Sequence, residues 1–180
     1  IHLIGIGGSG MRAIANILIQ KGYDVSGSDI AESAVISKFR DMGATVHIGH
    51  NKEYVNGVDA IVRSTAIRED NPEIVAAKEQ GITILHRSDI VKAVLDVTDG
   101  IAVAGAHGKT STTSMIGQIL VEANADPTVI IGGEVDYLKG SSCLGKGHFS
   151  VVEADESDGS FLKLHPHTIV ITNIEDDHMD

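Results

Sequence analysis

Short apolar runs alternate with segments in which apolar residues recur at helical spacing throughout the first half of the chain. Runs of this length that end in glycine or polar residues predict buried strands, and apolar residues three and four positions apart predict helices. Regular alternation of the two predicts a parallel, doubly wound α/β sheet. The predicted strands are 1–6, 25–28, 45–48, 59–64 and 83–86, and the predicted helices are 11–21, 34–42, 71–80 and 88–96.

A second α/β unit is predicted to begin near residue 97. Its first strand leads into a glycine-bearing loop and a helix at 109–123, after which Asn124 is expected to adopt the left-handed conformation that often ends a helix. We therefore predict two domains, 1–97 with a Rossmann-like parallel sheet and 98–180 as the start of an α/β domain with a phosphate-binding loop. The strands predicted in the second domain are 100–104, 129–131, 149–154 and 168–172.

The first predicted strand runs into Gly5-Ile6-Gly7-Gly8-Ser9-Gly10, which matches the pattern G-x-G-x-x-G. Glycines permit a tight turn and a close approach of the backbone to a diphosphate, which the N-terminus of the next helix then faces. Asp29 ends the second strand, near the offset at which an acid contacts a ribose in this fold. The pattern fits a nicotinamide or flavin dinucleotide as well as a UDP-sugar, and a turn without a ligand is a further alternative.

The fourth predicted strand is followed by Ser64-Thr65-Ala66-Ile67. These four residues are expected at the carboxyl edge of the sheet, where open α/β folds bind their ligands. A plain polar loop is the alternative on local grounds.

A second phosphate-binding loop is predicted at Gly105-Ala106-His107-Gly108-Lys109-Thr110, between a buried strand and a helix. Backbone amides would surround phosphate, Lys109 would reach the terminal phosphates, and the hydroxyl of Thr110 would reach Mg²⁺. The loop is G-x-x-G-K-T, shorter than the common pattern, so a chance G-K-T turn is the alternative. Two such turns are hard to explain with a plain dehydrogenase and indicate ATP-driven chemistry on a second anionic substrate.

Acidic residues follow two strands of the second domain. Glu153, Asp155, Glu156 and Asp158 follow one of them, and the segment 172–180 with His178 follows the other. Acids at strand ends near a phosphate loop are suited to holding Mg²⁺, although solvated acidic loops would look the same. Local chemistry alone would not select His178, because Mg²⁺ prefers oxygen ligands.

Composition and charge exclude several classes of protein. The chain has 180 residues, 42% of them hydrophobic, and a net charge of −11, which disfavours a general nucleic-acid role. No apolar run approaches the roughly 18 residues of a membrane span, and the one cysteine, Cys143, fits a reducing compartment. The chain begins at Ile1 without a methionine and stops just after a predicted strand, so we expect a fragment of a longer protein.

In combination, these motifs resemble the Mur ligases of bacterial cell-wall synthesis. The resemblance implies UDP-sugar binding by 1–97 and the N-terminal part of an ATP-binding central domain at 98–180, in a cytoplasmic bacterial enzyme. A further domain that helps to bind the amino acid would lie beyond the chain. One departure is Ala106, where many members have Thr. The matching stretches are 2–11, 25–29, 105–113, 126–128, 131–133, 153–161 and 172–180.

The resemblance also implies roles for particular residues. For the UDP-sugar these are Gly8, Ser9, Gly10, Asp29, Ser64, Thr65, Ala66 and Ile67. For ATP they are Gly105, Ala106, His107, Gly108, Lys109, Thr110 and Ser111, with Lys109 as the catalytic group on the transferring phosphoryl. For Mg²⁺, or Mn²⁺ in its place, they are Thr110, Glu153 and His178, with Glu156 as the alternative to Glu153.

The implied reaction activates the carboxylate of a UDP-linked sugar acid with ATP as an acyl phosphate, which an amino group then attacks. Gly8 in the first turn favours the branch that adds L-alanine to UDP-N-acetylmuramate. Alternatives are a muropeptide-recycling or glutamate-adding ligase of the same superfamily, a nicotinamide-dependent oxidoreductase, and a non-catalytic nucleotide-binding module. The sequence leaves the oligomeric state open.

We predict that the 180 residues alone do not catalyse ligation, because the domain that would complete the amino-acid site is expected to be absent. The measurement is phosphate release with ATP, the UDP-sugar acid and L-alanine all present. Turnover by the isolated chain above the rate without enzyme would contradict this expectation.

Overall fold

The computed structural model describes residues 1–156 and 159–175. Within them the chain forms ten strands and five helices. The strands are β1 (His2–Ile4), β2 (Ser26–Asp29), β3 (Thr45–Ile48), β4 (Ala60–Arg63), β5 (Thr83–His86), β6 (Asp99–Ala104), β7 (Thr128–Val135), β8 (Gly140–Cys143), β9 (Phe149–Glu153) and β10 (Thr168–Ile171). The helices are α1 (Ser9–Gln20), α2 (Ala34–Asp41), α3 (Pro72–Gln80), α4 (Arg87–Leu95) and α5 (Lys109–Glu122). No helix in this part of the chain is long and apolar enough to cross a membrane.

The chain divides into two compact units, Ile1–Arg87 and Ser88–Asp180, called here the N-terminal and C-terminal units. The N-terminal unit contains a five-stranded sheet in the order β3-β2-β1-β4-β5, in which every pairing is parallel. The C-terminal unit contains a second sheet in the order β10-β6-β9-β7-β8. The predicted α/β class is confirmed. Helix α4 falls in the C-terminal unit, whereas the division predicted at residue 97 assigns it to the first domain.

The sequence analysis missed strand β8, which pairs antiparallel with β7 at one edge of the second sheet. The strand has no apolar run to reveal it, because its buried side chains are those of Ser141 and Ser142. The hydrophobic pattern also predicts a strand only over 129–131, whereas β7 continues through Gly132 and Gly133 to Val135. Pairing with neighbouring strands therefore decided both segments, not local propensity.

Apolar residues on both faces of the first sheet fix the N-terminal unit. Strand β1 is buried along its whole length, as expected for the centre of a parallel sheet covered on both sides. Ile4 and Ile61 pack with Ile74 of α3 in a core from which water is excluded. Helix α3 begins at Pro72 after Asn71, whose side chain accepts a hydrogen bond from Glu73 N, and ends at Gly81 in the left-handed conformation. These are standard start and stop signals of a helix.

Glu73 is a fully buried carboxylate inside this unit. Burial would raise its pKa, but hydrogen bonds from His2, Ser28 and His50 outweigh that effect, so the pKa is lowered from its ordinary value of 4.5. Its position in the first turn of α3 also favours the ionised form, because the helix dipole is positive there. The folded protein therefore binds this proton less readily than the unfolded chain does.

We predict that Glu73→Gln lowers the free energy of unfolding by about 3 kcal/mol at pH 7, because a buried hydrogen-bonded charge loses part of its network. Because the folded pKa is depressed, the contribution of Glu73 is complete above its ordinary value of 4.5 and is lost as pH falls through the lower folded value. Urea unfolding of variant and wild type between pH 3 and 8 measures this. A difference between the two proteins that stays constant across that range would contradict the assignment.

Candidate active sites

In each unit, loops that follow parallel strands meet at the carboxyl edge of the sheet. In the N-terminal unit the strands β1, β2 and β4 are neighbours, and the predicted site residues follow each of them. Strand order reverses at β1, which places the crevice of this fold between β1 and β4. The structure therefore brings the residues after these three strands to one edge.

The turn after β1 is held by hydrogen bonds from its own amides. Gly5 N and Ile6 N both donate to the carbonyl oxygen of Ser28, at 2.8 and 3.1 Å. Gly7 N donates to Asp29 Oδ2 at 2.8 Å, while Asp29 Oδ1 accepts from Ile30 N at 2.8 Å. A Cβ on Gly7 would lie 2.9 Å from Asp29 Oδ2, so this position needs glycine. Asp29 thus fixes the turn as well as lying beside it.

Helix α1 begins at Ser9, directly after Gly8. Gly8 N donates to the carbonyl of Gly5 at 3.0 Å. The first amides of a helix have no partner within it, so the donors that this segment presents at the edge of the sheet are the amides of Ser9 and Gly10. A Cβ on Gly10 would lie 3.0 Å from Arg87 Nη1, which places a guanidinium beside the start of the helix. The sequence analysis did not select Arg87. A cation directly after β5 was the available signal, because β5 ends at the same edge of the sheet as β1.

The segment after β4 lies beside the same turn. Ile67 Cδ1 would be 3.3 Å from a Cβ on Gly5, so the two loops are in contact. Ile67 N donates to the carbonyl of Ser64 at 3.1 Å, which makes the segment a tight turn. Thr65 and Ala66 are exposed at its tip, and the hydroxyl of Thr65 lies 3.1 Å from His86 Nε2. All eight residues predicted for the UDP-sugar therefore belong to one loop cluster.

The loop after β6 takes the shape that its glycines permit. Gly105 has φ 133° and Gly108 has φ 82°, both in the region that favours glycine. Residues after β10 brace the loop: Thr172 Oγ1 donates to the carbonyl of His107 at 2.6 Å, and Asn173 Oδ1 accepts from His107 N at 3.0 Å. From the sequence, Thr172 and Asn173 belong to the acidic segment 172–180 and have no predicted role of their own. Their position after a strand parallel to β6 is what places them here.

Lys109 folds back over its own loop. Its Nζ donates to the carbonyl oxygens of Gly105 at 2.6 Å and Ala106 at 3.2 Å. It also forms an ion pair with Glu156 Oε1 at 2.7 Å. The ammonium is largely buried, with 16% of the side chain exposed. The loop carbonyls and Glu156 therefore hold the ammonium of Lys109 within the loop.

Thr110 and Glu153 lie together next to the loop. Burial raises the pKa of Glu153, and this effect outweighs the hydrogen bonds from the Gly132 amide and the Thr110 hydroxyl, which lower it. Among the residues that the structure describes, Glu153 Oε1 is buried without a hydrogen-bond partner. Glu156, the alternative ligand, has Oε1 engaged by Lys109, and its Oε2 is likewise buried without a hydrogen-bond partner among the described residues. His178, the third predicted ligand, lies outside the described residues.

The oxygen atoms here fit a hard cation. Mg²⁺ takes oxygen ligands, and a buried carboxylate oxygen without a donor is favourable next to a cation. In residues 1–156 and 159–175 there is no group of three or more His, Cys, Asp or Glu side chains that could hold a metal ion. Thr110 and Glu153 would therefore supply a partial set, of the kind that Mg²⁺ completes with water and phosphate oxygens.

The sequence profile described as Mur ligase family, catalytic domain, matches residues 1–97. The chain belongs to the Mur ligase family. The profile of the Mur ligase middle domain matches residues 103–180, so this family assignment extends over both units.

Individual relatives within the Mur ligase family support the assignment. A UDP-N-acetylmuramate–L-alanine ligase from Nitrosospira multiformis is 50% identical over 180 residues, which are 100% of this chain and 36% of that protein. The enzyme of the same name from Solidesulfovibrio magneticus is 48% identical over 100% of this chain and 39% of its own length. The chain thus spans less than two fifths of the length of these two relatives.

Solved Mur ligase structures share the fold. The crystal structure of UDP-N-acetylmuramate-alanine ligase from Thermotoga maritima superimposes with a TM-score of 0.92 at 35% identity, over 99% of this chain and 42% of that chain. UDP-N-acetylmuramate:L-alanyl-γ-D-glutamyl-meso-diaminopimelate ligase from Neisseria meningitides gives 0.92 at 29% identity, over 99% and 61%. The predicted pair of α/β units therefore agrees with experimental structures of the family.

We predict that Gly105→Ala destabilises the C-terminal unit more than Gly159→Ala does. Both glycines have positive φ. A Cβ on Gly105 would overlap Thr172 Oγ1, whereas a Cβ on Gly159 would meet no described residue within 4 Å. We expect the strained backbone to lower the free energy of unfolding by about 1 kcal/mol at each position, and the overlap to lower it by about 2 kcal/mol more at Gly105. Thermal unfolding of the two variants measures the difference. Equal losses would show that Thr172 does not hold the loop.

Proposed function

We propose that the protein containing these residues joins L-alanine to UDP-N-acetylmuramate with ATP, in peptidoglycan synthesis in the bacterial cytoplasm. One observation carries the proposal: each unit has a glycine turn that leads from a buried strand into a helix N-terminus at the carboxyl edge of its sheet. One turn suits the diphosphate of a UDP-sugar, and the other suits the phosphates of ATP. The names of the relatives support the choice of L-alanine.

In the N-terminal unit, the segment from Gly8 to Gly10 would bind the diphosphate through the amides of Ser9 and Gly10, and Arg87 beside Gly10 would add positive charge. Asp29 would reach the uridine, since its carboxylate already lies at the start of the turn. The segment Ser64–Ile67 would contact the same substrate from the adjoining strand. Backbone donors suit a diphosphate because they are fixed before the ligand arrives.

In the C-terminal unit, residues Gly105 to Ser111 would bind ATP. Lys109 would exchange the carbonyls and Glu156 for phosphate oxygens, and would stabilise the charge that develops on the transferring phosphoryl group. Thr110 and Glu153, with His178, would hold Mg²⁺, which when bound neutralises the charge on the phosphates. The hydrogen bond from Thr110 to Glu153 supports Glu153 over Glu156 as the ligand. The acyl phosphate so formed would be attacked by the amine of L-alanine, which forms the amide bond and releases inorganic phosphate.

Two other functions are tested against this one. A recycling ligase of the same family uses a related substrate, and the similarity to the Neisseria meningitides ligase favours keeping it as the second candidate. An oxidoreductase would use Gly5–Gly10 for a dinucleotide, but that reading leaves Lys109 and its loop without a role. A screen of amino acids and of L-alanyl peptides as acceptors separates the two ligases.

We expect calorimetric titration of the protein with UDP-N-acetylmuramate to show saturable binding that NADH does not reduce. The diphosphate of either ligand would occupy the same turn, so competition identifies which one the turn is built for. Displacement by NADH, or binding of NADH alone, would return the N-terminal unit to the dinucleotide-binding class.

For the full-length protein, we expect Lys109→Met to lower the rate of phosphate release by at least about 100-fold, because a cation on the transferring phosphoryl is lost. The Kd of UDP-N-acetylmuramate should stay within about twofold, since Lys109 belongs to the ATP loop. Lys146→Met is the matched control, because Lys146 is an exposed lysine of the same unit. Wild-type phosphate release that needs no UDP-sugar acid or no amino acid would refute the ligase.

A further inference from the structure

The buried carboxylate of Glu73 has hydrogen-bond donors on both of its oxygens. Oε2 accepts from the hydroxyl of Ser28 at 2.7 Å and lies 3.1 Å from His2 Nε2. Oε1 lies 3.1 Å from His50 Nδ1 and accepts from Asn51 N at 3.2 Å. An ionised carboxylate only accepts, so each histidine nitrogen facing it carries a proton. Glu73, on α3, is thereby joined to β1, to β2 and to the loop after β3.

Two of these partners control the glycine turn. Ser28, held by its hydroxyl, offers its carbonyl to Gly5 N and Ile6 N at 2.8 and 3.1 Å. The next residue, Asp29, holds Gly7 N. His2 lies on β1 two residues before Ile4, which is paired with Ser28 and leads into the turn. A displacement of Ser28 would therefore move the acceptors of three successive turn amides.

We propose that Glu73 is a positioning residue for the UDP-sugar, which fixes the glycine turn through Ser28 and His2 without touching the substrate. The inference rests on the proposed function, because it assumes that this turn binds the diphosphate. An apolar residue would serve equally well if Glu73 only stabilised the core. The cost of removing a charge from water often cancels the free energy gained from its buried partners. A carboxylate with four hydrogen-bond partners instead fixes the orientation of the groups that bind it, because hydrogen bonds require alignment and apolar contacts do not.

The test compares Glu73→Gln with wild type in the full-length protein. Glutamine has the same shape, but its amide NH₂ must face donors at one of the two carboxylate positions. We expect the Kd and KM of UDP-N-acetylmuramate to rise about tenfold or more, with kcat and the KM of ATP within about twofold. Glu79→Gln is the matched control, an exposed glutamate on the same helix, and should match wild type in every constant.

All constants are measured at a temperature where the unfolding curves show each variant to be folded. A lower melting temperature with an unchanged Kd for the UDP-sugar would overturn the positioning role and leave Glu73 a purely stabilising residue. A fall in kcat/KM by the same factor for ATP and for UDP-N-acetylmuramate would also overturn it, because the loss would then not be specific to the UDP-sugar. Absence of saturable binding by wild type would refute the proposed function, and the positioning role would fall with it.

Ser28→Ala keeps the inference testable where Glu73→Gln does not fold. It removes the hydroxyl that links Ser28 to Glu73 and leaves the carbonyl that receives the turn amides. We expect a rise of about threefold to tenfold in the Kd of the UDP-sugar, again with kcat unchanged. Where both variants fold, the double variant should bind no more weakly than Glu73→Gln alone, because both changes break one link. If the two substitutions weakened UDP-sugar binding by independent factors that multiply in the double variant, Glu73 would not act through Ser28. Wild-type affinity of Ser28→Ala would contradict the inference in the same way.

Discussion

The first amides of a helix lack partners within it, and in a parallel α/β unit they lie at the edge where the preceding strand ends. This constraint decides where both candidate sites of the protein lie. Helix α1 follows β1 through Gly5–Gly8, and α5 follows β6 through Gly105–Gly108. A diphosphate or triphosphate placed there receives amide hydrogen bonds and the positive end of the helix dipole. The remaining site residues come from strands that end at the same edge.

Glycine turns of this kind gain their shape from neighbours, because glycine itself restricts the backbone least. In the N-terminal unit Ser28 and Asp29, at the end of the adjacent strand, accept the amides of the turn. In the C-terminal unit Thr172 and Asn173, after the adjacent strand, hold His107 through its N–H and its carbonyl. The same device therefore appears twice: polar residues at one strand end fix the loop that follows the next strand.

Much of this architecture can be read from the sequence because local signals agree. Apolar runs, the glycines and the helix caps at Asn71 and Gly81 act within a few residues, and the structure confirms the helix that they predict there. Strand β8 was missed because its burial comes from pairing with β7 and not from apolar side chains. Periodicity carries no information about such a partner.

The same limit applies to the sites. The sequence identifies Gly5–Gly10 and Gly105–Thr110 because the chemistry is contiguous. It did not identify Glu73, which lies 45 residues from Ser28 and on another element, nor Arg87 beside Gly10. Such residues are selected by the packing of elements far apart in the chain. A glutamate at the start of a helix is typical of any exposed first turn, so nothing local distinguishes Glu73 from Glu79.

Charge presents an apparent conflict, since a chain with net charge −11 is proposed to bind two phosphate-bearing substrates. Distant carboxylates matter little, because charges are screened beyond about 8 Å at physiological salt. The competition between carboxylate and phosphate is local and concerns Lys109, whose Nζ lies 2.7 Å from Glu156 Oε1 and is shielded from solvent. A nucleotide that takes Lys109 has to replace this ion pair and leave Glu156 with a charge to stabilise. A divalent cation near Glu153 would offset that cost, so Glu153, Glu156 and such a cation would together balance the charge of Lys109 and the phosphates.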